Sequence, residues 1–501
     1  MDKTAGLSRR RLMRVSLIGG AGFTALAALA GCGGTQIVEK EVVKIVTKEV
    51  PVDRVVTQIV EKEKIVTQIV EKVVEKIVEV EKEKIVEKIV TVEAAQAKRA
   101  AVTLMFNTWY GTTEEYNAEV FDPFTKKFPH VTIDAAVTPW VQYWQKMQTQ
   151  AVGGGLPDFF GMDIGYKWDW ANKGLLMNMA PLIKRDLDES KYNTTSWATA
   201  KFPTDNSVDQ YMMPQEVVTT LLYYNEELLD AAGVEHPTYD WSYKTLEEAA
   251  MKLIKRDGDK ISQYGYYGSG TYHAIMDPMV KSNGGQVLSE DFKQCLLNKP
   301  KSVEMIQLVV DWIEKGVSPN PVEAAALAGG GSFFATKKVG MEITGSWNVD
   351  AFIKSTDLPF NVSMVPTGNV KRVVYGAPDS WSISSATPNF EDAWEMVMFG
   401  IGEERSYENF PLGRVPILKS IGEDPAFNKK GRVSGYKAML ESEPYMSGSD
   451  FGPSFSEWRN AWANNLQLAF LGEETSQAAA DSATKAIQDI LDKVIWPATA
   501  G

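Results

Sequence analysis

Residues Tyr211 to Ala250, YMMPQEVVTTLLYYNEELLDAAGVEHPTYDWSYKTLEEAA, restrict the fold of the whole chain more than any other stretch. Val217 to Tyr224 is β-branched and aromatic, which predicts a strand, and Asn225 is placed to cap a helix with Glu226 and Glu227 in its first turn. That helix is expected to stop at Gly233. A second is expected from Thr245, with Glu248 completing a capping box and Leu246, Ala249, Ala250, Leu253 and Ile254 forming its apolar face.

The same alternation begins earlier. Val102–Phe106, Val131–Val137 and Leu156–Phe160 read as strands, and Thr113–Phe128 and Trp140–Ala151 read as the helices between them. Strands alternating with helices imply βαβ units and a mixed, mainly parallel sheet, whose ligands bind beyond the carboxyl ends of the strands. That rule places Trp109 and Tyr110, and Asp163 and Tyr166, on one rim. Asp163 reads equally as a helix cap. Glycines 153–155 precede a strand rather than open a helix, so they do not form a phosphate loop. Later helices are expected near Leu246–Arg256 and Ser302–Glu314, with the Gly- and Tyr-rich run Gln263–His273 between them.

Composition narrows the chemistry. The 501 residues carry a formal charge of -13, a surface that repels phosphate and excludes a nucleic-acid partner. Two cysteines and three histidines supply neither a disulfide framework nor a His- or Cys-based metal site, and no metal or cofactor is expected. Cys295 reads as a buried small hydrophobe.

The first 31 residues read as an export signal: Arg9, Arg10, Arg11 and Arg14 precede the apolar run Leu17–Ala30, too short for an ordinary membrane span. Ser8–Met13 resembles a twin-arginine signal and Leu29-Ala30-Gly31-Cys32 a lipobox, which would make Cys32 a lipidated N-terminus on the outer face of the cell membrane. Both twin-arginine and Sec export remain open. From Gln36 to Val92 the chain turns to Val, Ile, Glu and Lys with apolar pairs every four residues. That period favours a helical stalk over residues 32–100, possible as a coiled coil through which copies self-associate, and a helix of this length reaches roughly 85 Å. A disordered tether is the alternative.

The order of a strand ending in Tyr223-Tyr224-Asn225, a short helix ending in Ala232-Gly233-Val234 and a helix following Trp241 resembles the extracellular solute-binding proteins of ABC importers, in particular the sugar-binding family that includes maltose-binding protein. Later markers have the same order: Phe333–Trp347 with its Gly345-Ser346-Trp347, Gly413-Arg414-Val415-Pro416, and Phe455–Trp462. The resemblance implies an α/β periplasmic-binding-protein-like fold of type II, with two lobes joined by crossing strands. The expected division is 101–219 and 364–425 for the first lobe, and 220–363 and 426–501 for the second, with a second crossing near Val362–Pro366.

A sugar offers apolar C–H faces and a ring of hydroxyls, so its site needs flat aromatic surfaces beside oriented polar groups. Trp109, Tyr110, Trp347 and Trp458 are the candidate surfaces; Asp163, Tyr166, Tyr272, Asp379 and Ser380 are the candidate polar edges. The resemblance implies that Trp347 and Trp458 face the ligand, whereas Trp168, Trp170, Trp381 and Trp462 are expected to pack in the core or on a lobe surface. The acidic-basic pair after the first strand of maltose-binding protein is replaced by Trp109-Tyr110, and its acidic residue in the first crossing by Val218, so maltose itself is not implied. The implied function is capture of a carbohydrate for a membrane permease, without catalysis. A receptor for peptides or polyamines, a glycosidase, for which no facing carboxylate pair stands out, and a structural envelope protein are the alternatives.

Overall fold

A computed structural model describes residues 22–28, 38–44, 99–204, 206–328, 332–355, 357–407, 413–424, 437–447 and 451–496 of the chain. The chain divides into two compact units, Met1–Arg99 and Ala100–Gly501. In the first, β1 (Gly22–Ala28) and β2 (Val38–Lys44) pair antiparallel, Gly22 opposite Lys44 and Ala28 opposite Val38. This corrects the helical reading of the stalk at residues 38–44, where Val38, Val42 and Val43 favour extended backbone over a helical turn. The rest of the stalk and Cys32 lie outside the described residues.

The second unit is built on one mixed sheet in the order β4-β3-β5-β11-β6-β9-β8-β7. β3 (Val102–Thr108) and β4 (Val131–Val137) run parallel, Val102 beside Val131, and β5 (Phe159–Asp163) runs parallel on the other side of β3. Between β3 and β4 the helix starts at a capping box, in which the Thr112 hydroxyl accepts from the Glu115 N–H and the Glu115 carboxylate accepts from the Thr112 N–H. A π-helical turn, Asn117–Phe121, interrupts it before Asp122–Lys127.

β6 (Met213–Asn225) has all thirteen residues buried and serves two neighbourhoods. Its first half pairs with β11 (Val374–Ile383), from Met213 opposite Trp381 to Thr219 opposite Gly376. Its second half pairs with β9 (Val339–Gly345), Thr220 opposite Gly345, and with β10 (Phe360–Ser363). Beyond β9 lie β8 (Lys260–Tyr267), parallel to it, and β7 (Lys255–Asp257). The short β12 (Val415–Pro416) lies along the first half of β6, and β13 (Met446–Ser447) along the start of β11. Pairing is thus parallel among β3, β4 and β5, between β8 and β9 and between β11 and β13, and otherwise antiparallel around β6 and β11.

Several boundaries move relative to the sequence reading. β6 begins at Met213, before Pro214, rather than at Val217. The helix expected from Thr245 is Tyr243–Leu253, with Ser242 as the cap accepting from the Thr245 N–H. The third strand is Phe159–Asp163 rather than 156–160, so Asp163 ends the strand and also caps the next helix. Gln263–Tyr267, read as part of a Gly- and Tyr-rich run between two helices, belongs to β8. The expected crossing at Val362–Pro366 overlaps β10, and the return beside β5 is made by β11.

Three apolar cores hold this frame. One lies under β3, β5 and β11, where Phe106 meets Phe159 at 4.7 Å and Trp381 at 5.4 Å between ring centroids. A second packs Leu221, Tyr223, Phe334, Phe352 and Val362 on the other half of β6. The third joins Tyr143 and Trp144 through Phe455 to the helices Pro300–Glu314, Phe455–Phe470 and Ser476–Leu491. Cys295 is buried there, as expected of a small hydrophobe. Among the described residues no helix is long and apolar enough to cross a membrane.

Candidate functional site

The ends of β3, β5, β11 and β9 bring most of the candidate residues into one neighbourhood. Asp163 closes β5 and stands directly opposite Asp379 on β11. Its carboxylate accepts from the Gly165 N–H at 2.8 Å, capping the helix Ile164–Asn172, which carries Tyr166. Burial, with Asp379 adding to it, pushes the Asp163 carboxyl up to about 7, while the Gly165 N–H and Arg459 pull the other way. Asp163 is therefore both a helix cap and a site carboxyl poised between proton states.

Asp379 is itself paired. Arg414 Nη1 donates to Asp379 Oδ2 and to Glu216 Oε1, and the Arg414 guanidinium lies 4.0 Å from the centre of the Tyr110 ring. Burial works against the Arg414 charge, and the two carboxylates more than restore it, holding the guanidinium above its ordinary range. Burial likewise raises Glu216, and Arg414 opposes that rise. The Tyr110 hydroxyl stands 3.5 Å from Gln215 Oε1.

Trp109, half-buried, meets Trp140 edge to face at 5.1 Å and 80°. Gly161 makes this arrangement possible, because a Cβ there would stand 2.7 Å from Thr108 Oγ1 and 2.8 Å from the Trp109 ring. Behind them Trp144 and Tyr166 stack with centroids 3.5 Å apart and planes 7° from parallel. That stacking leaves Tyr166 buried, so its contribution to a rim is its hydroxyl, which burial pushes up to about 12 and Arg459 pulls down.

From the other half, Trp347 sits half-buried in the turn Ser346–Asn348 after β9, its ring 6.2 Å from Tyr375. Tyr272 is 37% exposed and precedes the helix His273–Ser282. His273 is buried against Tyr272, Phe455, Phe451 and Tyr375, and its Nδ1 has no hydrogen-bond partner. Burial and Arg459 push it down to about 3, so it is neutral at neutral pH.

Two candidates fall elsewhere. Trp458 is 1% exposed, its ring 5.0 Å from Phe455 in the third core, because this turn of the helix Phe455–Phe470 faces inward. Ser380 is buried, on the opposite side of β11 from Asp379, and its hydroxyl has no partner. Trp168, Trp170, Trp381 and Trp462 are buried.

Three residues escaped the sequence reading. Arg459 follows Trp458 in the segment already singled out; one helical step places it half-exposed, 5.5 Å over the Phe455 ring, where its charge pulls the Tyr166 hydroxyl down. Arg414 lies in the Gly-x-x-Pro marker, a pattern that specifies the glycine and proline and leaves position 414 open. Glu216 restores a carboxylate to the first crossing two residues before Val218, on the same face of the strand.

The model of the bacterial extracellular solute-binding protein family matches residues 110–404. A galactooligosaccharide-binding protein of Bacillus subtilis is 24% identical over 378 residues, spanning 71% of this chain and 82% of its own. A binding protein of Brucella abortus is 24% identical over 406 residues, covering 78% and 94%. Among solved structures, an ABC substrate-binding protein of Listeria monocytogenes in complex with cycloalternan superposes with a TM-score of 0.69 at 21% identity, covering 78% of this chain and 99% of that one. The maltose/maltodextrin-binding domain of Bdellovibrio bacteriovorus, bound to maltotriose, gives 0.64 at 16% identity, covering 78% and 100%. Shared fold, crossing strand and matched residues lead to one assignment: the chain belongs to the bacterial extracellular solute-binding protein family.

Proposed function

We propose that the protein is the substrate-binding lipoprotein of an ABC transporter, capturing a sugar or oligosaccharide between its lobes and delivering it to membrane permease subunits without chemical turnover. The observation that carries this reading is the pairing of half-exposed indole faces, Trp109 and Trp347, with the polar set Asp163, Asp379, Tyr272 and Arg459. Flat apolar faces beside oriented donors and acceptors are what a sugar requires. The carbohydrates named with its relatives, galactooligosaccharide, cycloalternan and maltotriose, support the same class. Tyr110 completes the aromatic wall, and Tyr166 acts through its hydroxyl.

In this reading residues 101–219 and 364–425 form one lobe and 220–363 and 426–501 the other. Cys32 carries the lipid that anchors the protein to the outer face of the cell membrane. The Val/Ile/Glu/Lys tract spaces the receptor from that surface and offers a seam for self-association.

The test is thermal unfolding of the protein against mono- and oligosaccharides, with peptides and polyamines alongside. Ligand at a hundred times its dissociation constant stabilises the native state by about 2.7 kcal/mol. A saturable shift with one carbohydrate class, lost in Trp347→Ala, is expected. A shift with peptides or polyamines alone would replace the cargo and keep the fold.

A further inference from the structure

One level of the sheet carries charge across four adjacent strands. Arg414 immediately precedes β12, Glu216 lies on β6, Asp379 stands opposite it on β11, and Asp163 stands opposite Asp379 on β5. The Arg414 side chain is 8% exposed, and one of its nitrogens reaches past β6 to serve both Glu216 and Asp379. Its flat face covers Tyr110, 4.0 Å away. Without the guanidinium, two buried carboxylates would face each other, with Arg405 left to oppose the charge of Glu216.

The backbone beside this side chain touches the other half of the site. Gly413 has φ 79°, and a Cβ there would stand 1.9 Å from the Ser346 carbonyl oxygen. Ser346 opens the turn that carries Trp347, and its hydroxyl accepts from the Thr219 N–H at 3.1 Å, at the point where β6 passes from β11 to β9. Residues 413 and 414 therefore contact Tyr110 and Asp379 through a side chain, and the Trp347 turn through backbone.

We propose that Gly413-Arg414 is a clasp that sets the two halves of the solute site against each other, with Arg414 as a positioning residue rather than a solute contact. The proposal rests on the solute-site reading above. A lysine at 414 keeps the charge and loses the planar face over Tyr110. Changing Arg414 to Met together with Glu216 to Gln removes one charge of each sign, so the net balance is kept.

The experiment has two arms, both on the full chain. In the first, amide hydrogen exchange is followed without any sugar in Arg414→Lys and in the Arg414→Met/Glu216→Gln pair. Exchange at Thr219 and across 346–348 is expected to rise about tenfold while Phe390–Ile401 keeps its native rates. A rise confined to 413–416, or one spread evenly over the unit, would overturn the clasp. In the second arm, maltotriose is titrated into the native protein and Arg414→Lys at matched melting temperatures. Affinity at least about tenfold weaker in the variant is expected, and unchanged affinity would also overturn the proposal. If neither maltotriose nor any other carbohydrate binds the native protein, the solute reading falls, and the exchange arm alone decides the clasp.

Discussion

Half-buried Asp163 and buried His273 and Glu342 are three titratable side chains with different pH signatures. Glu342, on β9, accepts from the Phe334 N–H, and burial nevertheless pushes it up to about 8. A carboxyl raised in the fold stabilises it below the unfolded value and loses that contribution as pH rises to the folded one. For Glu342 the loss runs from about pH 4.5 to 8, and for Asp163 from about pH 4 to 7. His273, depressed to about 3, has the opposite effect: its contribution is present above about pH 6.5 and is lost as pH falls below that. Between pH 6.5 and 8 only the carboxyls act, and stability should fall by about 2 kcal/mol through Glu342 alone. Denaturant unfolding across that interval checks this, and Glu342→Gln should flatten most of the slope; a slope unchanged in the variant would refute the assignment. The rim residues were legible in sequence because they follow strand ends, as Trp109 follows β3. Arg414 and Glu216 were not, because their meeting depends on which strands lie side by side, and local pattern carries no trace of lateral order.

At the scale of elements, the strand Val131–Val137 was read to the residue, and the helix after Asn225 was read with both its cap and its glycine stop. β-branched runs and caps are local signals. β8 was missed because Gln263–Tyr267 alternates no apolar pattern and owes its extended form to pairing with β9. Ser242 displaced Thr245 as cap because the next turn of backbone was already committed to the helix. The turn after β9 yields a prediction of its own. Gly345 has φ −78°, which alanine adopts freely, yet a Cβ there would stand 2.0 Å from the Trp347 indole. Gly345→Ala should therefore swing Trp347 away while leaving the strand paired. We expect sugar affinity to drop about tenfold or more, with the melting temperature changed by only a few degrees; titration calorimetry beside a thermal scan separates the two.

For the whole molecule, the proposed reading divides the work between the two compact units, with anchoring assigned to Met1–Arg99 and recognition to Ala100–Gly501. Cys32→Ser should move the protein from the membrane fraction to the soluble fraction while leaving its sugar affinity as in the native chain. Continued fractionation with membranes would remove the lipid anchor from the account. The overall fold class was readable from the order of strands, helices and Trp-bearing turns over some four hundred residues. The extended backbone at Val38–Lys44 was not, since a tract of Val and Ile suits helix or strand until a partner such as Gly22–Ala28 is supplied.

The shared ownership of β6 also bears on how such receptors diversify. Half of its ladder belongs to one neighbourhood and half to the other, with the change between Thr219 and Thr220. Neither half can be handed on as a finished module, since a recombination joint at that point would splice two foreign half-strands into one continuous backbone. New cargo preferences on this scaffold are better reached by changing individual rim side chains and the loops that bear them than by exchanging lobes.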